Sequence, residues 1–393
     1  MTAKKVLFLD HTAQLGGGEL SLLDLLEGLD RSQYSPSVVL ASDGPLTLKI
    51  REIGIEVQVI PLDPKVLHTR KDSLGASAFL KLRSIFTILQ YSLRIARLAR
   101  LLNVELIHTN SLKSDIYGGL AGRIALIPTV WHVRDRIDEH YLPRAAMSAF
   151  RILCKILPHA VIANSQSTLS CLKVHKKQRS AVVYGSYRPD TKLSDEQSDR
   201  HEDNASTVPI ITVVGRIAEW KGQHIFINAA AEVLKQHPKA QFWIIGSPLF
   251  GEYEYERSLH DQVNRLDLCD SIHFLGFRKD VSQLLQKVTV VVHSSCLGEP
   301  FGRVVIEGMA AAKPVVATNG GALPEIITDG VTGRLVPMND AGAMAAAIAG
   351  LLTDPEKART IGRNGRQKVL DCFTMSQTAR GVERVYDLVL AAA

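Results

Sequence analysis

The chain has 393 residues, of which 46% are hydrophobic and 22% are charged, with 28 glycines and 16 prolines. Because domains average about 100 to 200 residues, this length predicts two domains with cores of their own, and the composition excludes disulfide miniproteins, collagen and wholesale disorder. The 46 Lys and Arg exceed the 40 Asp and Glu by six. This excess is too mild to indicate nucleic acid or a membrane by itself.

The spacing of the cysteines and the length of the apolar runs indicate the cellular compartment of the protein. No two of the five cysteines have CxxC or zinc-ligand spacing, so we expect reduced core residues in a reducing compartment: Cys154, Cys171, Cys269, Cys296 and Cys372. The start, MTAKKVLFLD, lacks a secretory apolar region, and no run approaches the ~18 residues of a membrane span. The sequence therefore predicts a cytoplasmic protein.

Short runs rich in Val, Ile and Leu alternate with longer helical stretches. This alternation is typical of βαβ units on a parallel sheet. The first predicted strands are Val6–Leu9, Ser37–Leu40, Val57–Ile60, Leu106–His108, Thr129–Trp131, Val161–Ala163 and Ala181–Val183.

A polar, highly charged stretch, residues 186–207, interrupts this pattern and is predicted to be a linker. A second set of strands follows at Ile210–Val214, Phe242–Ile245, Ile272–Leu275, Val288–Val292, Val315–Ala317 and Arg334–Val336, and a last helix at Met375–Leu390. The sequence therefore predicts an α/β protein with two doubly wound parallel-sheet domains, residues 1–185 and 208–374, that face one another across a cleft. Ligands are expected at the carboxyl ends of the strands.

Three glycines, Gly16, Gly17 and Gly18, follow the first strand and precede a predicted helix. Their backbone N–H groups can approach an anion, and a helix start favours negative charge, so one interpretation is a phosphate or sugar contact. The other is a tight turn that needs positive φ, with Glu19 complementing the helix N-terminus. The loop does not match GxGxxG, which argues against a nicotinamide site.

Arg216 and Lys221 flank a short loop between a strand that ends at Val214 and the next helix, and Gly215 allows close approach of the backbone. Two cations at such a junction can bind both phosphates of a diphosphate. Taken alone, two solvated surface cations are the simpler interpretation.

The sharpest motif is EPFGRVVIE, in which Glu299 lies in a predicted loop and Glu307 on a helix that begins near Arg303. Carboxylates accept paired hydrogen bonds from the vicinal hydroxyls of a sugar or a ribose. The backbone N–H groups of Phe301, Gly302 and Arg303 lie at the helix start, where phosphate binds well. Capping or a solvated face explains either glutamate alone, but not the whole arrangement.

With this motif, which fits an E-x7-E pattern, the chain resembles the retaining glycosyltransferases of the GT-B fold, in particular glycosyltransferase family 4 (group 1 glycosyltransferases). The resemblance extends over most of the chain and includes the segments GGGE, WHVRD, ANSQST, VVYG, VVGRIAEWKG, IHFLGF and GGALPEIITDGVTGRLV. The resemblance implies two Rossmann-like domains, the first binding the acceptor and the second the nucleotide sugar. It also implies that the final helix, within residues 375–393, returns to the first domain.

The resemblance implies a role for each matching residue. Arg216 and Lys221 match the cations that neutralise the donor diphosphate. Glu307 matches the carboxylate that holds the ribose, and Glu299 the one beside the donor sugar. His132, in WHVRD, matches a histidine near the reacting face of that sugar, although a lone histidine after an apolar strand is also compatible with a satisfied structural residue. Further implied donor contacts are Gly17, Gly18, Gly215, Phe277, Arg278, Pro300, Phe301, Gly302 and Arg303.

The predicted catalytic residues are therefore His132, Arg216, Lys221 and Glu299. No DxD occurs in the chain, so we expect no metal and no cofactor besides the nucleotide-sugar co-substrate. The two cations and the helix start are expected to stabilise the leaving diphosphate. The resemblance implies retention of configuration at the anomeric carbon.

Charge is unevenly spread along the chain. Residues 65–185 carry 19 Lys and Arg against 6 Asp and Glu. Two segments, residues 79–102 and 143–159, have the pattern of basic amphipathic helices, and in the second Arg144, Ser148, Arg151 and Lys155 share one predicted face. Either these helices are solvated on a core, or they bind the anionic inner face of a membrane peripherally. No nucleic-acid reader motif is present.

The sequence thus predicts a hexosyltransferase that moves a hexose, from UDP-glucose by preference, to a saccharide or lipid-linked saccharide in polysaccharide or glycolipid biosynthesis. GDP-mannose is the alternative donor. A nicotinamide oxidoreductase is disfavoured by the missing GxGxxG. A non-catalytic scaffold that binds saccharide or lipid would tolerate the loss of Glu307 or Lys221, yet both are present.

Overall fold

The predicted strands form two parallel sheets, one in each of two compact units. The computed structural model describes residues 3–63, 78–188, 208–249 and 251–392, without the side chains of residues 78–84. Unit 1 comprises Met1–Ser186 with Met375–Ala393, and unit 2 comprises Tyr187–Thr374. The predicted linker lies outside the described residues from residue 189 onward.

Unit 1 contains a seven-stranded parallel sheet in the order β3-β2-β1-β4-β5-β6-β7. Its strands are β1 (Lys4–Asp10), β2 (Tyr34–Leu40), β3 (Glu56–Val59), β4 (Leu106–Thr109), β5 (Thr129–Val133), β6 (Ala160–Ala163) and β7 (Arg179–Val182). Its helices are α1 (Gly17–Gly28), α2 (Pro45–Glu52), α3 (Ala78–Leu101), α4 (Leu112–Ala125), α5 (Arg144–Ile156), α6 (Gln166–Leu172) and α14 (Met375–Leu390).

Unit 2 contains a six-stranded parallel sheet in the order β10-β9-β8-β11-β12-β13. The strands are β8 (Ile210–Val214), β9 (Gln241–Ile245), β10 (Ile272–Gly276), β11 (Val290–His293), β12 (Val315–Thr318) and β13 (Arg334–Val336). The helices are α7 (Gln223–Leu234), α8 (Tyr253–Arg265), α9 (Val281–Lys287), α10 (Arg303–Ala310), α11 (Leu323–Ile326), α12 (Ala341–Thr353) and α13 (Pro355–Cys372). The predicted fold class, two doubly wound parallel sheets, is confirmed.

Burial on both faces of each sheet explains why the strands read as continuous apolar runs. In β1, Val6 and Phe8 belong to the core on one face, together with side chains of α1 and α14. The alternate residues Leu7 and Leu9 belong to the core on the other face, with side chains of α3 and α4. Unit 2 has a large apolar core of its own.

The strand order reverses between β1 and β4 in unit 1 and between β8 and β11 in unit 2. At such a reversal the two following connections leave toward opposite faces of the sheet, which opens a crevice at the carboxyl ends of the strands. The residues that follow these four strands are therefore the ones each fold places in a ligand-binding position.

The structure bears on three expectations, which concern the burial of the cysteines, the basic face of α5 and membrane-spanning helices. Cys269 and Cys372 are exposed rather than in the core, although all five cysteines are free thiols. Arg151 does not share a free basic face with Arg144, because its guanidinium donates to the carbonyls of Ile137 and Cys171, each at 2.8 Å. Among the helices that the structure describes, none has both the length and the apolar character needed to cross a membrane.

Candidate active site

The loops after β8 and β11 bring together a lysine and a glutamate that are 78 residues apart in the chain. The loop after β8 includes Gly215, whose φ of 153° favours glycine, and ends in a 3-10 turn, Glu219–Lys221. Lys221 Nζ donates to Glu299 Oε2 at 2.8 Å, and the two side chains are only 20% and 12% exposed. The pair therefore sits at the sheet reversal of unit 2, mostly shielded from water.

Glu299 is held in its ionised form by its neighbours. Burial by itself raises the pKa of this carboxyl group, but the charge of Lys221 and a hydrogen bond from His293 outweigh it, and the pKa is well below its usual range. His293 Nε2 lies 3.1 Å from Oε2, and Ser295 Oγ donates to the same oxygen at 3.3 Å. In the described part of the chain, Oε1 has no hydrogen-bond partner, which leaves one carboxylate oxygen for a ligand hydroxyl.

The helix that follows, α10, begins at Arg303, as the sequence predicted. Its N-cap Gly302 has φ of 105°, and a Cβ there would lie 2.6 Å from Leu323 Cδ2, so only glycine fits. Glu307, one turn into the helix, is 29% exposed, and its Oε1 lies 3.7 Å from Arg303 Nη2. The first N–H groups of α10 and the Glu307 carboxylate thus project from one short segment.

The other predicted donor contacts comprise two arginines, each beside a carboxylate, and two phenylalanines that differ in exposure. Arg216 Nη1 lies 3.6 Å from Glu252 Oε1, so this guanidinium, like Lys221, has a carboxylate beside it. Arg278 binds Asp280 in a bidentate manner at 2.8 and 2.6 Å on the surface. Phe277, after β10, is 67% exposed, whereas the Phe301 ring is buried against Phe373, with ring centroids 6.1 Å apart. The side chain of Phe301, only 5% exposed, is therefore withdrawn from a ligand.

In unit 1, the glycines after β1 belong to a helix rather than to a strained turn. Gly16 is the N-cap with φ of −116°, and Gly17 and Gly18 form the first turn of α1. The alternative of a turn with positive φ is therefore wrong. Glu19 Oε2 accepts the Gly16 N–H at 3.1 Å, which caps the helix as expected.

His132, on β5, is fully buried. Its Nδ1 lies 3.4 Å from Arg134 Nη2, and its Nε2 has no hydrogen-bond partner in the described structure. Burial, then the charge of Arg134, places the pKa of His132 well below its usual range, so the ring is neutral. A satisfied structural histidine would have both nitrogens paired, and an unpaired buried nitrogen costs free energy.

A polar network that was not predicted from the sequence lies at the β1–β4 reversal of unit 1. Asp10, at the end of β1, accepts a hydrogen bond from Asn110 Nδ2 at 2.6 Å, and Asn110 Oδ1 accepts from Arg134 Nε at 2.6 Å. His11 Nδ1 lies 3.1 Å from Asp10 Oδ1 and 2.8 Å from Ser111 Oγ. The available signal was positional, because both strands end in polar residues at the reversal.

The same network contains the closest approach to a metal-ligand set in the described residues. Ligand-type atoms of Asp10, His11 and Glu19 lie within 4.8 Å of one another. Each of the three already takes part in a hydrogen bond within the protein. We read these residues as a hydrogen-bond network and assign no metal to them; metal independence stays a prediction.

Two doubly wound units, with an acidic pair spaced by seven residues in one and a glycine-rich helix start in the other, define the GT-B class of glycosyltransferases. The family model described as "Glycosyltransferase Family 4" matches residues 15–186 of this chain, and the model described as "Glycosyl transferases group 1" matches residues 194–368. The chain belongs to the group 1 glycosyltransferases, and the family predicted from the sequence is confirmed.

Solved structures and curated relatives agree with this family. Anabaena Alr3699/HepE, in complex with UDP and glucose, superimposes with a TM-score of 0.81 at 27% identity, covering 98% of this chain and 99% of that one. The spore coat protein SA of Bacillus subtilis (strain 168) is 32% identical over 186 residues, 45% of this chain and 48% of the relative. The lipopolysaccharide core biosynthesis mannosyltransferase LpcC of Rhizobium leguminosarum bv. viciae is 30% identical over 235 residues, 59% of this chain and 65% of the relative. The chain thus spans about half to two thirds of the length of these curated relatives.

Proposed function

We propose that the protein is a retaining, metal-independent hexosyltransferase that uses UDP-glucose as donor. The observation that carries the proposal is the partly buried Lys221–Glu299 pair shortly before the start of α10 (Arg303–Ala310), at the sheet reversal of unit 2. Support for the donor comes from HepE, whose structure has also been solved with UDP-glucose at 27% identity.

Each group at this site has a use in transfer from a nucleoside diphosphate sugar. Lys221 and Arg216 balance the charge of the diphosphate, and the first N–H groups of α10 add partial positive charge without a metal. Glu307 accepts hydrogen bonds from the two ribose hydroxyls. Glu299 accepts from a hydroxyl of the transferred sugar through Oε1, while Oε2 stays bound to Lys221.

The stabilisation matters most when the bond between sugar and diphosphate breaks. Negative charge then grows on the leaving oxygen, and preorganised cations lower the barrier because they need no reorganisation at that moment. Unit 1 is proposed to hold the acceptor, a saccharide or lipid-linked saccharide, at its own sheet reversal. His132 is proposed to lie next to the transferred sugar, where its unpaired Nε2 would gain a partner.

The donor assignment is tested by calorimetric titration with UDP and GDP, followed by measurement of nucleotide release from UDP-glucose and GDP-mannose. We expect UDP binding and slow UDP-glucose hydrolysis. Lys221→Ala and Glu307→Ala should each weaken UDP binding about 10- to 100-fold, since a hydrogen bond to a charged group contributes about 1.5 to 3 kcal/mol.

Lys239→Ala and Glu356→Ala are the matched controls, because both side chains are exposed in the same unit. Binding of GDP instead of UDP would favour the mannosyl alternative, which the name of LpcC supports. Binding of neither nucleotide would leave a non-catalytic scaffold of the same fold as the remaining interpretation.

Two further measurements test the mechanism. Loss of activity with EDTA and recovery with Mn²⁺ would overturn metal independence. NMR of the new anomeric proton tests retention of configuration.

A peripheral membrane contact is a second proposal, carried by the exposed face of α5 (Arg144–Ile156). Ile152 and Ile156 are each 57% exposed, and Arg144 and Lys155 lie on the same helix with exposed side chains. An apolar stripe flanked by cations suits the surface of an anionic leaflet. The protein should sediment with phosphatidylglycerol vesicles at low salt, and I152S/I156S should reduce this several-fold, whereas Leu370→Ser, in unit 2, should not.

A further inference from the structure

Three hydrogen-bond donors meet at one oxygen of Glu299, and two of them have no role in the function proposed above. Lys221 Nζ lies 2.8 Å from Oε2, His293 Nε2 lies 3.1 Å from it, and Ser295 Oγ lies 3.3 Å from it. The other carboxylate oxygen, Oε1, accepts no hydrogen bond from the residues that the structure describes. Because a carboxylate oxygen has two lone pairs, three donors at Oε2 are more than it can bind fully.

The charge of Glu299 determines which nitrogen of His293 carries a proton. Burial raises the pKa of Glu299, but the charge of Lys221 and a hydrogen bond from His293 outweigh it and hold this pKa well below its usual range. An ionised carboxylate can only accept a hydrogen bond, so Nε2 of His293 must be protonated. The imidazole therefore donates to Oε2, as the Ser295 hydroxyl does.

The sheet holds both of these donors in place. His293 is the last residue of β11 (Val290–His293), its side chain is 6% exposed, and its Nδ1 lies 3.4 Å from Thr318 Oγ1. Thr318, on the neighbouring strand β12, also donates from Oγ1 to the Ser295 carbonyl at 3.0 Å. The two donors are thus fixed independently of Lys221.

The turn that carries Lys221 is fixed through its backbone as well as through its side chain. Ser294 Oγ donates to the Lys221 carbonyl at 2.8 Å, and the Cys296 N–H donates to the Trp220 carbonyl at 2.8 Å. These contacts do not depend on the ion pair with Glu299. The ammonium group can therefore bind a second anion while the turn keeps its position.

We propose that His293 and Ser295 are positioning residues for the donor sugar, which keep Glu299 in place when the diphosphate binds Lys221. The inference rests on the proposed function and concerns residues of unit 2 alone. A diphosphate that shares the ammonium weakens its attraction to Oε2, and the two remaining donors still occupy both lone pairs of that oxygen. The carboxylate keeps its orientation, so Oε1 remains available to a hydroxyl of the sugar.

The first test compares the affinities of UDP-glucose and UDP by calorimetric titration at low temperature. Only UDP-glucose carries a sugar for Glu299, so the ratio of the two affinities isolates that contact. His293→Met removes the donor and should lower the ratio about tenfold, as expected for the loss of a hydrogen bond to a charged group. His293→Gln, whose amide can still donate, should keep the ratio within about threefold of the parent value.

His273→Met is the matched control, because His273 is a partly buried histidine on the edge strand β10 of the same sheet. It should leave the ratio unchanged. Ser295→Ala is a smaller change beside the same carboxylate, and it should lower the ratio about threefold. This variant provides a second reading if His293→Met does not fold.

The second test asks whether His293 acts through Glu299. In Glu299→Ala the sugar contact is already lost, and the ratio should fall. Adding His293→Met to this variant should then cause no further fall, because the two substitutions remove the same contact.

The third test needs no ligand. Long-range ¹⁵N NMR of histidine-labelled protein, with the His293 signal assigned by its loss in His293→Gln, should show a proton on Nε2. Protonation of Nδ1 alone would make Nε2 an acceptor, which cannot bind an ionised carboxylate.

The outcomes separate the inference from the function on which it rests. An unchanged ratio in His293→Met, a further fall in the double variant or a ring protonated at Nδ1 alone overturns the role of His293 while donor binding stands. A merely structural histidine would lower both affinities equally and leave the ratio unchanged. A parent that binds neither UDP nor UDP-glucose overturns the proposed function, and the positioning of a donor sugar with it.

Discussion

Glu299 shows how one partly buried carboxylate organises a site. Its Oε2 is surrounded by Lys221 from the loop after β8, His293 at the end of β11 and Ser295 from the loop after β11. Because Lys221 already neutralises this carboxylate, a bound diphosphate would share the lysine rather than meet an isolated cation. The sequence placed both residues in one site but could not predict the contact, since the loop path after β8 (Ile210–Val214) depends on tertiary packing.

Lys313 is a buried cation outside the site, and its titration is testable. Its side chain is only 4% exposed, Nζ donates to the Gln286 carbonyl at 2.8 Å, and burial lowers its pKa to about 8. In the unfolded chain a lysine titrates near 10.4. Between these two values the unfolded state binds more protons than the folded state, so this lysine makes the free energy of unfolding rise with pH.

We therefore expect the parent to gain stability relative to Lys313→Met as pH increases from 8 to 10, by up to about 3 kcal/mol. Urea unfolding at pH 7, 8, 9 and 10 measures the difference. Lys287→Met, an exposed lysine of the same unit, should show no such trend. A parent-to-variant difference that is constant across this range would contradict a depressed pKa at Lys313.

At the scale of helices, several arginines in the basic segment of unit 1, residues 65–185, bind the C-terminal ends of neighbouring helices. Arg100, in the last turn of α3 (Ala78–Leu101), donates to the carbonyls of Ile124 and Ala125 at the end of α4. Arg123 of α4 (Leu112–Ala125) donates to Ile156 and Leu157 at the end of α5. Arg151 of α5 repeats the pattern with Cys171 on α6 (Gln166–Leu172). Each arginine thus satisfies unpaired carbonyls of the next helix and complements its dipole.

Arg123→Ala should therefore lower the free energy of unfolding by about 1 kcal/mol, a value discounted because the side chain is largely exposed. Arg97→Ala is the matched control, because Arg97 is an exposed arginine on the neighbouring helix α3. Urea unfolding of both proteins gives the comparison. Equal stability of the two variants would mean that the helix-end contacts of Arg123 contribute nothing measurable.

Secondary structure was largely predictable because both faces of each sheet are buried. Strands such as Val6–Leu9 and Val315–Ala317 were located within a few residues of β1 (Lys4–Asp10) and β12 (Val315–Thr318). The predicted start of α10 near Arg303 was right, since glycine before an apolar helix is a local signal. The arginine contacts were not predictable, because they join helices that are 20 to 34 residues apart in the chain.

The polar network of unit 1 escaped prediction for the same reason. Asp10 and Asn110 are 100 residues apart, and only the adjacency of β1 and β4 brings them together. The glycine run was interpreted from its backbone freedom, yet Gly17 and Gly18 adopt ordinary helical geometry. Local composition indicates which residues can bind, whereas strand order decides which of them meet.

For the whole molecule, the division into units does not follow the order of the chain. Helix α14 (Met375–Leu390) follows unit 2 in sequence but belongs to unit 1, where it packs against α1. Val382, Tyr386 and Val389 are buried in the core of unit 1. Tyr386 Oη lies 2.8 Å from His108 Nδ1, so the helix contributes polar as well as apolar contacts to that core.

Removal of residues 375–393 should therefore unfold or loosen unit 1 and leave unit 2 folded, although the deletion is contiguous in sequence with unit 2. Burying each large apolar side chain contributes about 1.5 to 3 kcal/mol, so the loss of the three named above would consume most of the stability of a typical domain. Hydrogen exchange followed by mass spectrometry should show protection lost across residues 3–63 and 78–186 and kept across residues 208–249 and 251–374. Removal of residues 391–393 alone is the control and should change neither unit. Protection that is retained in unit 1, or lost equally in both, would show that α14 does not stabilise unit 1 in the way its burial implies.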